Sequence, residues 1–367
     1  MSFITGVLLI DAPASALNNA GPEESERNDN KIGVKKITVP GQGQFPYVSA
    51  QSYRYWLRTH LERQGGPWTV APMSRESKIA YTDGNPLKYW DDDLFGYMRA
   101  ESKKEDAKEA KKAKKAEGGG VDLTPTTGEL TRVSPLRVGT FVALAPTKIV
   151  DDFGTMSRHD GNPVPHEHQF YRATLRGSVS VDLTCAGTFF FGGRVGYKNL
   201  DDNRQKAAAE AKLEQVNVHN QPAYRLPVAD RAARVATLVQ AVGDVSGGAK
   251  QTLHHTDVAP VVFIGAVMRG GNNPFYRAVT AGKGHEAAVH EGAVREIASV
   301  FADDLLSPIY VGWTAGYADG EFEKLKAIAA DIQGQNSHVR FVFAHPREAL
   351  RQLAESLKTP QAAAWFA

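Results

Sequence analysis

Four apolar runs and two amphipathic helices follow one another along this chain in an order that few folds accommodate. The first run, Gly6-Val7-Leu8-Leu9-Ile10, is short and continuous and stops at Asp11, the pattern of a central strand. A turn rich in small and amide residues follows, from Ala16 and Leu17 through Asn18 and Asn19 to Gly21. The first helix opens at Ser49, whose hydroxyl can accept from the free N–H groups of a first helical turn. Tyr53, Trp56, Leu57 and Leu61 share one helix face at three- and four-residue spacing, and Gln51, Arg54 and Arg58 fall on another. Residues 138–144 and 170–183 read as strands; in the latter, Val179, Val181 and Leu183 alternate with Ser180 and Asp182. The second helix, 228–242, repeats its apolar residues at Ala232, Val235, Ala236, Leu238, Val239 and Val242, which leaves Asp230, Arg231 and Arg234 outside. Residues 258–267, around Val261-Val262-Phe263-Ile264, supply the last strand.

Strand, helix, strand, strand, helix, strand is the ferredoxin-like βαββαβ order of an RNA-recognition motif, an α+β fold. Two stretches fall outside it by composition. Residues 101–117 (ESKKEDAKEAKKAKKAE) carry no large apolar side chain and end at Gly118-Gly119-Gly120, as a solvated helix or tether does. A second polar, alanine-rich stretch covers 200–214. After Gly284, helices (286–301, 321–332, 346–357) alternate with strands (Ile309-Tyr310-Val311 and 339–343), an α/β appendix that completes the sheet or packs beside it. The expected division is a discontinuous core over 1–63 and 132–284, an insertion over 64–131 that contains the tether 101–120, and a C-terminal α/β extension over 285–367.

A chain of 367 residues can bury a large core, and its formal net charge of +2 means that any surface for a polyanion is a local patch. The one cysteine, Cys185, excludes an internal disulfide and a multi-cysteine metal site and fits a reducing cytoplasm. No segment approaches transmembrane length, and the N-terminal apolar run lacks the basic flank of a secretion signal. The expectation is a cytoplasmic protein with no membrane partner.

Several groups of residues could carry chemistry. A helix start presents free N–H groups and a positive dipole end to an anion, and Arg54 and Arg58 one turn apart would extend that surface along a phosphate backbone; the plainer use of Arg58 is an ion pair with Glu62. In Asp152-Phe153-Gly154-Thr155-Met156, Gly154 permits a tight turn and Met156 either wedges beside a base or caps the core. Gly247-Gly248-Ala249-Lys250-Gln251 is a flexible turn or a place where the backbone approaches a phosphate beside a lysine; the spacing of a P-loop is absent. The run Phe189-Phe190-Phe191 suits a core better than a stacking platform. His166 and His168 share one side of a strand, with His159, His254 and His255 also available, yet no third metal ligand is indicated. No Gly-x-Ser-x-Gly elbow occurs, and the acids Glu23, Glu24 and Asp29 lie in a charged, solvated run.

The segments VLLIDAPASALNNAG and YVSAQSYRYWLR, taken with Asp152–Met156 and Gly248-Ala249-Lys250-Gln251 in that order, resemble the backbone subunit of the CRISPR Cascade complex, the DevR/CasC family of RAMP proteins, and most closely its type I-B (Cst-like) branch. The resemblance spans most of the chain. It implies a modified RNA-recognition-motif palm, a "fingers" insertion at 64–131 and a "thumb" at about 151–169. It also implies a non-enzymatic protein that binds crRNA independently of sequence and polymerises head to tail into a helical oligomer. The RNA contacts implied are Asn18, Asn19, Ser49, Gln51, Arg54, Arg58, Phe153, Met156, Arg158, Lys250 and Gln251. The partners implied are crRNA, target DNA, further copies of the chain, and the other Cascade subunits (the crRNA 5′-handle cap and the large and small subunits), in antiviral defence or guided transposition. No catalytic residue, cofactor or metal is implied. The rivals are a metal-dependent ribonuclease of the same superfold, using His166, His168 and a loop acid, and an RNA-binding protein that acts alone.

Overall fold

A computed structural model of the chain describes residues 1–23, 30–76, 79–99, 123–158, 160–194 and 196–367. The tether 101–120 and residues Glu24, Asp29 and His159 lie outside the described residues, as does the side chain of Glu23. The chain is a mixed α+β structure built on one twelve-stranded sheet. In chain order its strands and the helices named below are β1 (Ser2–Ser15), β2 (Asn19–Glu23), β3 (Lys31–Val34), β4 (Lys36–Val39), β5 (Gly43–Val48), α1 (Ala50–Gln64), α2 (Trp90–Phe95), β6 (Leu136–Val138), β7 (Phe141–Ala143), β8 (Val150–Met156), β9 (Val164–Asp182), α3 (Val228–Asp244), β10 (Val262–Arg269), α4 (Glu291–Val300), β11 (Ile309–Trp313), α5 (Asp319–Gln335), β12 (Phe341–Ala344) and α6 (Pro346–Ser356). The sheet runs β12-β11-β10-β1-β9-β7-β5-β4, while β3, β6 and β8 also pair with β9 and β2 pairs with β3. Neighbours from β11 through β5 are antiparallel, and β11 with β12 is parallel. The C-terminal strands therefore complete the central sheet.

Alternation along the strands divides the core in two. Leu8, Ile10, Leu175 and Phe263 face α1 and α3, where Tyr53, Trp56, Leu57, Leu61, Val235 and Leu238 are buried against them. Val7, Leu9, Val262 and Ile264 face the other way, beneath Phe275, Val279, Val294, Ile297 and Ile328. Sheets that stack bases on their strands leave that second face open; here it is covered. Gly177 on β9 makes room for Phe141, since a Cβ there would sit 2.6 Å from the ring, and Phe141 stacks on Tyr53 at 4.4 Å. Phe189 and Phe190 are buried, as expected of core. No helix of the described residues is long and apolar enough to cross a membrane.

Several sequence expectations need correction. β1 extends well past the 6–10 run, because its pairing with β9 continues beyond Asp11 to Ser15 opposite Tyr171. The single strand expected at 138–144 is two short ones, β6 and β7, both on β9. Arg231 and Arg234 of α3 are buried, at 1% and 4% exposure. Arg231 donates to Ala186 O (2.8 Å) and Leu183 O (2.7 Å), and Arg234 to Pro86 O and Asp93 Oδ2, both at 2.8 Å. Asp93, itself fully buried, also takes Arg132 and the N–H of Gly187 (3.1 Å). One carboxylate between two guanidiniums thus pins α2, inside the 64–131 insertion, to the core. The 200–214 stretch, expected as a surface insertion, contains a helix (Asp202–Glu210) capped by Asp201; its Arg204 is buried and donates to Gly84 O (2.7 Å) and Asp83 O (2.9 Å).

Two adjacent carboxylates of α2 should respond in opposite ways to neutralisation. Asp93→Asn leaves Arg132 and Arg234 buried without their counter-charge and should cost about 3–5 kcal/mol of stability. Asp92 forms no ion pair among the described residues, and burial pushes its carboxyl up to about 6, above the 3.8 of an unfolded chain. The folded state therefore binds that proton more tightly, so stability falls as pH rises from 3.8 through about 6. Asp92→Asn keeps an oxygen for the Asn85 N–H (2.8 Å to Asp92 Oδ2) and should stabilise the protein by about 1–2 kcal/mol near neutral pH, with little effect in acid. Thermal melts across that pH range check both; a stability loss for Asp92→Asn at neutral pH would refute the assignment.

Candidate nucleic-acid interface

Three segments distant in sequence meet at the start of α1. Ser49 caps the helix, its hydroxyl accepting from Ser52 N at 3.3 Å, and its own N–H donates to Asn18 Oδ1 at 2.9 Å. The turn after β1 thereby sets where the helix begins. Ala249 N donates to Leu17 O at 3.1 Å, which ties the 247–251 loop to the same turn. The glycines of that loop are needed for close approach. A Cβ on Gly247 would lie 2.5 Å from Trp56 Cγ, and one on Gly248 2.8 Å from Leu17 Cδ2, with Gly248 at φ +105°. Gln251 holds the loop closed: its Nε2 donates to Gly247 O and to Thr256 O (3.1 Å), and its Oε1 accepts from Thr256 N (3.0 Å).

Between these segments runs a groove of ≈ 760 Å³, lined among others by Asn18, Ser52, Tyr55, Thr59, Arg63 and His255. The first turn of α1 holds no acidic residue, so the positive end of the helix is unopposed. Arg63 and Lys250 have no carboxylate partner among the described residues. Asp257 is also on the wall, where its Oδ1 accepts from Ala259 N at 2.9 Å.

The helix face that lines the groove is not the one singled out from sequence. Gln51 is exposed but off the groove. Arg54 turns inward and donates to Leu136 O and Phe95 O, both at 2.7 Å, and burial lowers its pKa to about 10. Arg58 pairs with the buried Asp91 at 2.7 Å, not with Glu62, and lies over the Phe95 ring. Both guanidiniums fasten the insertion to α1. Asn19 is a β2 residue paired with Val34. The groove stripe is Ser52, Tyr55, Thr59 and Arg63. Tyr55 is 66% exposed and was missed, although an aromatic off the apolar face of an otherwise well-patterned helix is a readable signal.

The expected 151–169 thumb is a two-stranded hairpin, β8 against the first part of β9, with residues 157, 158 and 160–163 at its tip. Gly154 makes no turn: it pairs with His166 inside the hairpin, where a Cβ would sit 2.8 Å from the imidazole. Phe153 and Met156 are 52% and 60% exposed, so Met156 is no core cap, and Arg158 is exposed at the tip. The hairpin base joins the glycine loop through His168 and His254, whose Nε2 atoms are 2.8 Å apart; the Asp152 carboxylate is 3.5 Å from His168, and Phe170 stacks on His254. Lys250, at φ +55°, stands on this side of the loop. Among the described residues no group of three or more His, Cys, Asp or Glu side chains is placed to hold a metal ion.

Two measurements test these assignments. Arg54→Ala strips donors from two backbone carbonyls and should lower stability by about 2–4 kcal/mol; an unchanged melt would return Arg54 to the surface. At the hairpin base, a 2.8 Å contact between two imidazoles requires one of the facing nitrogens to be unprotonated. The His168 pKa is lowered, first by burial, opposed by Asp152 and reinforced by His254, Lys250 and His166. The contact is then fully stable above 6.5, the value of an unfolded imidazole, and weakens as pH falls below it. Hydrogen exchange of the β8 amides, corrected for intrinsic rates, should accelerate below pH 6.5 in the wild type and show a smaller dependence in His254→Gln. Equal protection on both sides of that pH in the wild type would refute the coupling.

No family model and no curated protein matches the chain. Among solved structures it is similar to a chain of a "CRISPR RNA-guided surveillance complex", with TM-score 0.45 and 13% identity over 99% of both chains. A chain of a "CRISPR RNA-guided surveillance complex, pre-nicking" gives TM-score 0.45 and 11% identity over 96% of this chain and 100% of that one. Likenesses at this level carry no argument about what the chain does.

Proposed function

We propose that the chain is a non-enzymatic subunit of a CRISPR guide-RNA complex, holding single-stranded crRNA by its phosphate backbone in the groove at the start of α1. The observation that carries this reading is the convergence, in one groove, of three of the four segments that bear the family resemblance: the Asn18 turn, the Ser49-capped helix and the 247–251 loop. An unopposed helix N-terminus, Arg63 and the nearby Lys250 attract phosphate, and Tyr55 offers a ring on which any base can stack. The hairpin with Phe153, Met156 and Arg158 rises beside the loop and would prise bases apart as the strand leaves the groove. Bases not so displaced stay free to pair with target DNA, so that pairing, not the protein, reads sequence. Further support comes from the strand order β10-β1-β9-β7, all antiparallel, which is that of a ferredoxin-like RNA-recognition core. Copies stacked head to tail along the guide would form an open helical filament, to which the remaining Cascade subunits attach.

Anisotropy titrations of full-length protein with single-stranded RNA at several salt concentrations test the reading. Lys250→Ala and Arg63→Ala should each reduce the salt slope by about 0.7–0.9, one phosphate contact, whatever the RNA sequence. Tyr55→Ala should weaken binding by roughly 1–3 kcal/mol with the slope unchanged. Mass photometry should show length-dependent assemblies on RNA. A monomer that ignores RNA, or RNA binding untouched by all three substitutions, overturns the proposal.

A further inference from the structure

On the face of the sheet opposite α1, a cavity of ≈ 860 Å³ opens between residues 272–280 and the N-terminus of α4, a volume typical of small-molecule sites. We infer that it binds the phosphoryl group of a nucleotide. Arg176 reaches it from β9 and is held by Tyr276 O (3.2 Å) and Val279 O (2.6 Å), both from its Nη1, with the guanidinium 4.0 Å from the centre of the Tyr276 ring. Among the described residues its Nη2 has no acceptor, and Nε is buried without one. Arg277 on the rim is exposed. Neither guanidinium has a carboxylate partner among the described residues. Arg176, pre-oriented by an aromatic face, can donate to a phosphate oxygen through Nη2, and the exposed Arg277 on the same lining can add its own guanidinium fork.

The rest of the lining fits the same ligand. His290 caps α4 by accepting from Ala293 N at Nδ1 (3.1 Å), so the ring proton sits on Nε2, which is left as a donor. The one acid of α4's first turn, Glu291, is engaged by Arg295 at 2.9 Å, outside the cavity lining. Thr280 adds a hydroxyl. A bare phosphate would leave two acceptors unanswered. Among the described residues, Asn273 donates through Nδ2 to Gly6 O (3.0 Å) while its buried Oδ1 has no partner, and Glu296 is the one carboxylate on the wall. Sugar hydroxyls or a base amino group supply the donors they need, and Tyr276 and Phe301 provide the apolar surface for a ring. A mononucleotide carries all of these groups, and so does one residue of a polynucleotide strand.

Calorimetric titration of the full-length chain with AMP, inorganic phosphate and adenosine tests this site. AMP should bind more tightly than phosphate, and adenosine more weakly than either. Arg277→Ala, a change at an exposed position, should weaken AMP roughly tenfold, and Arg277→Lys should recover only part of the loss. Tyr55→Ala, in the groove on the other side, and Lys250→Ala, beside that groove, should leave AMP affinity unchanged, so the two sites fail or stand separately. A short RNA that displaces AMP identifies a polynucleotide as the source of the phosphoryl group, and failure to displace it identifies a free nucleotide. Absence of AMP binding, or AMP affinity equal in wild type and Arg277→Ala, overturns the inference.

Discussion

One strand carries half of the exposed hairpin and the wall of the cavity, and pairs along its middle with the strand that leads to the groove. β9 runs nineteen residues, roughly 60 Å at an ordinary rise, and pairs along its length with β8, β3, β1, β7 and β6. Its first part is half of the exposed hairpin, its middle carries Arg176 into the cavity under α4, and its end turns through Asp182 into the buried phenylalanines. A slip of one residue would exchange the faces of all these side chains at once. The matching register of Leu9 opposite both Arg176 and Val262 is therefore the constraint from which the groove, the hairpin and the cavity take their relative places.

The arginines show how much of such a structure can be read in advance. The order of the elements and the buried face of α1 (Tyr53, Trp56, Leu57, Leu61) follow from periodicity, because an apolar stripe at helical spacing has one stable use. Arg54, Arg231 and Arg234 follow the same periodicity to a wrong place, since the pattern assigns charge to solvent. What decides them is a set of carbonyls and carboxylates from remote segments: Phe95 and Leu136 for Arg54, Leu183 and Ala186 for Arg231, Pro86 and Asp93 for Arg234. Those acceptors converge only once the chain has folded. Enough of them offset much of the cost of taking a guanidinium out of water.

The candidate groove was half legible for a related reason. Its three contributing segments were visible as motifs, but the residues within them divide between those that build the groove and those that line it. Asn18, Gly247, Gly248 and Gln251 are occupied in holding turn, helix and loop together. Tyr55 and Arg63 belong to a helix stripe with no motif around it. Residue type alone does not separate the two uses; hydrogen-bond occupancy does.

The pairing of β1 also has a consequence for how the chain comes to be folded. Its two sheet neighbours are β9 and β10, so Leu9 waits for Arg176 on one edge and for Val262 on the other. During synthesis this apolar strand has no permanent edge partner until β9 (Val164–Asp182) has emerged, and none on its other edge until β10 follows. Closure of so non-local a sheet is intrinsically slow, and an unpaired apolar strand is a template for aggregation while it lasts. Cellular yield of this protein should accordingly depend less on its final stability than on what shelters its first strand during translation.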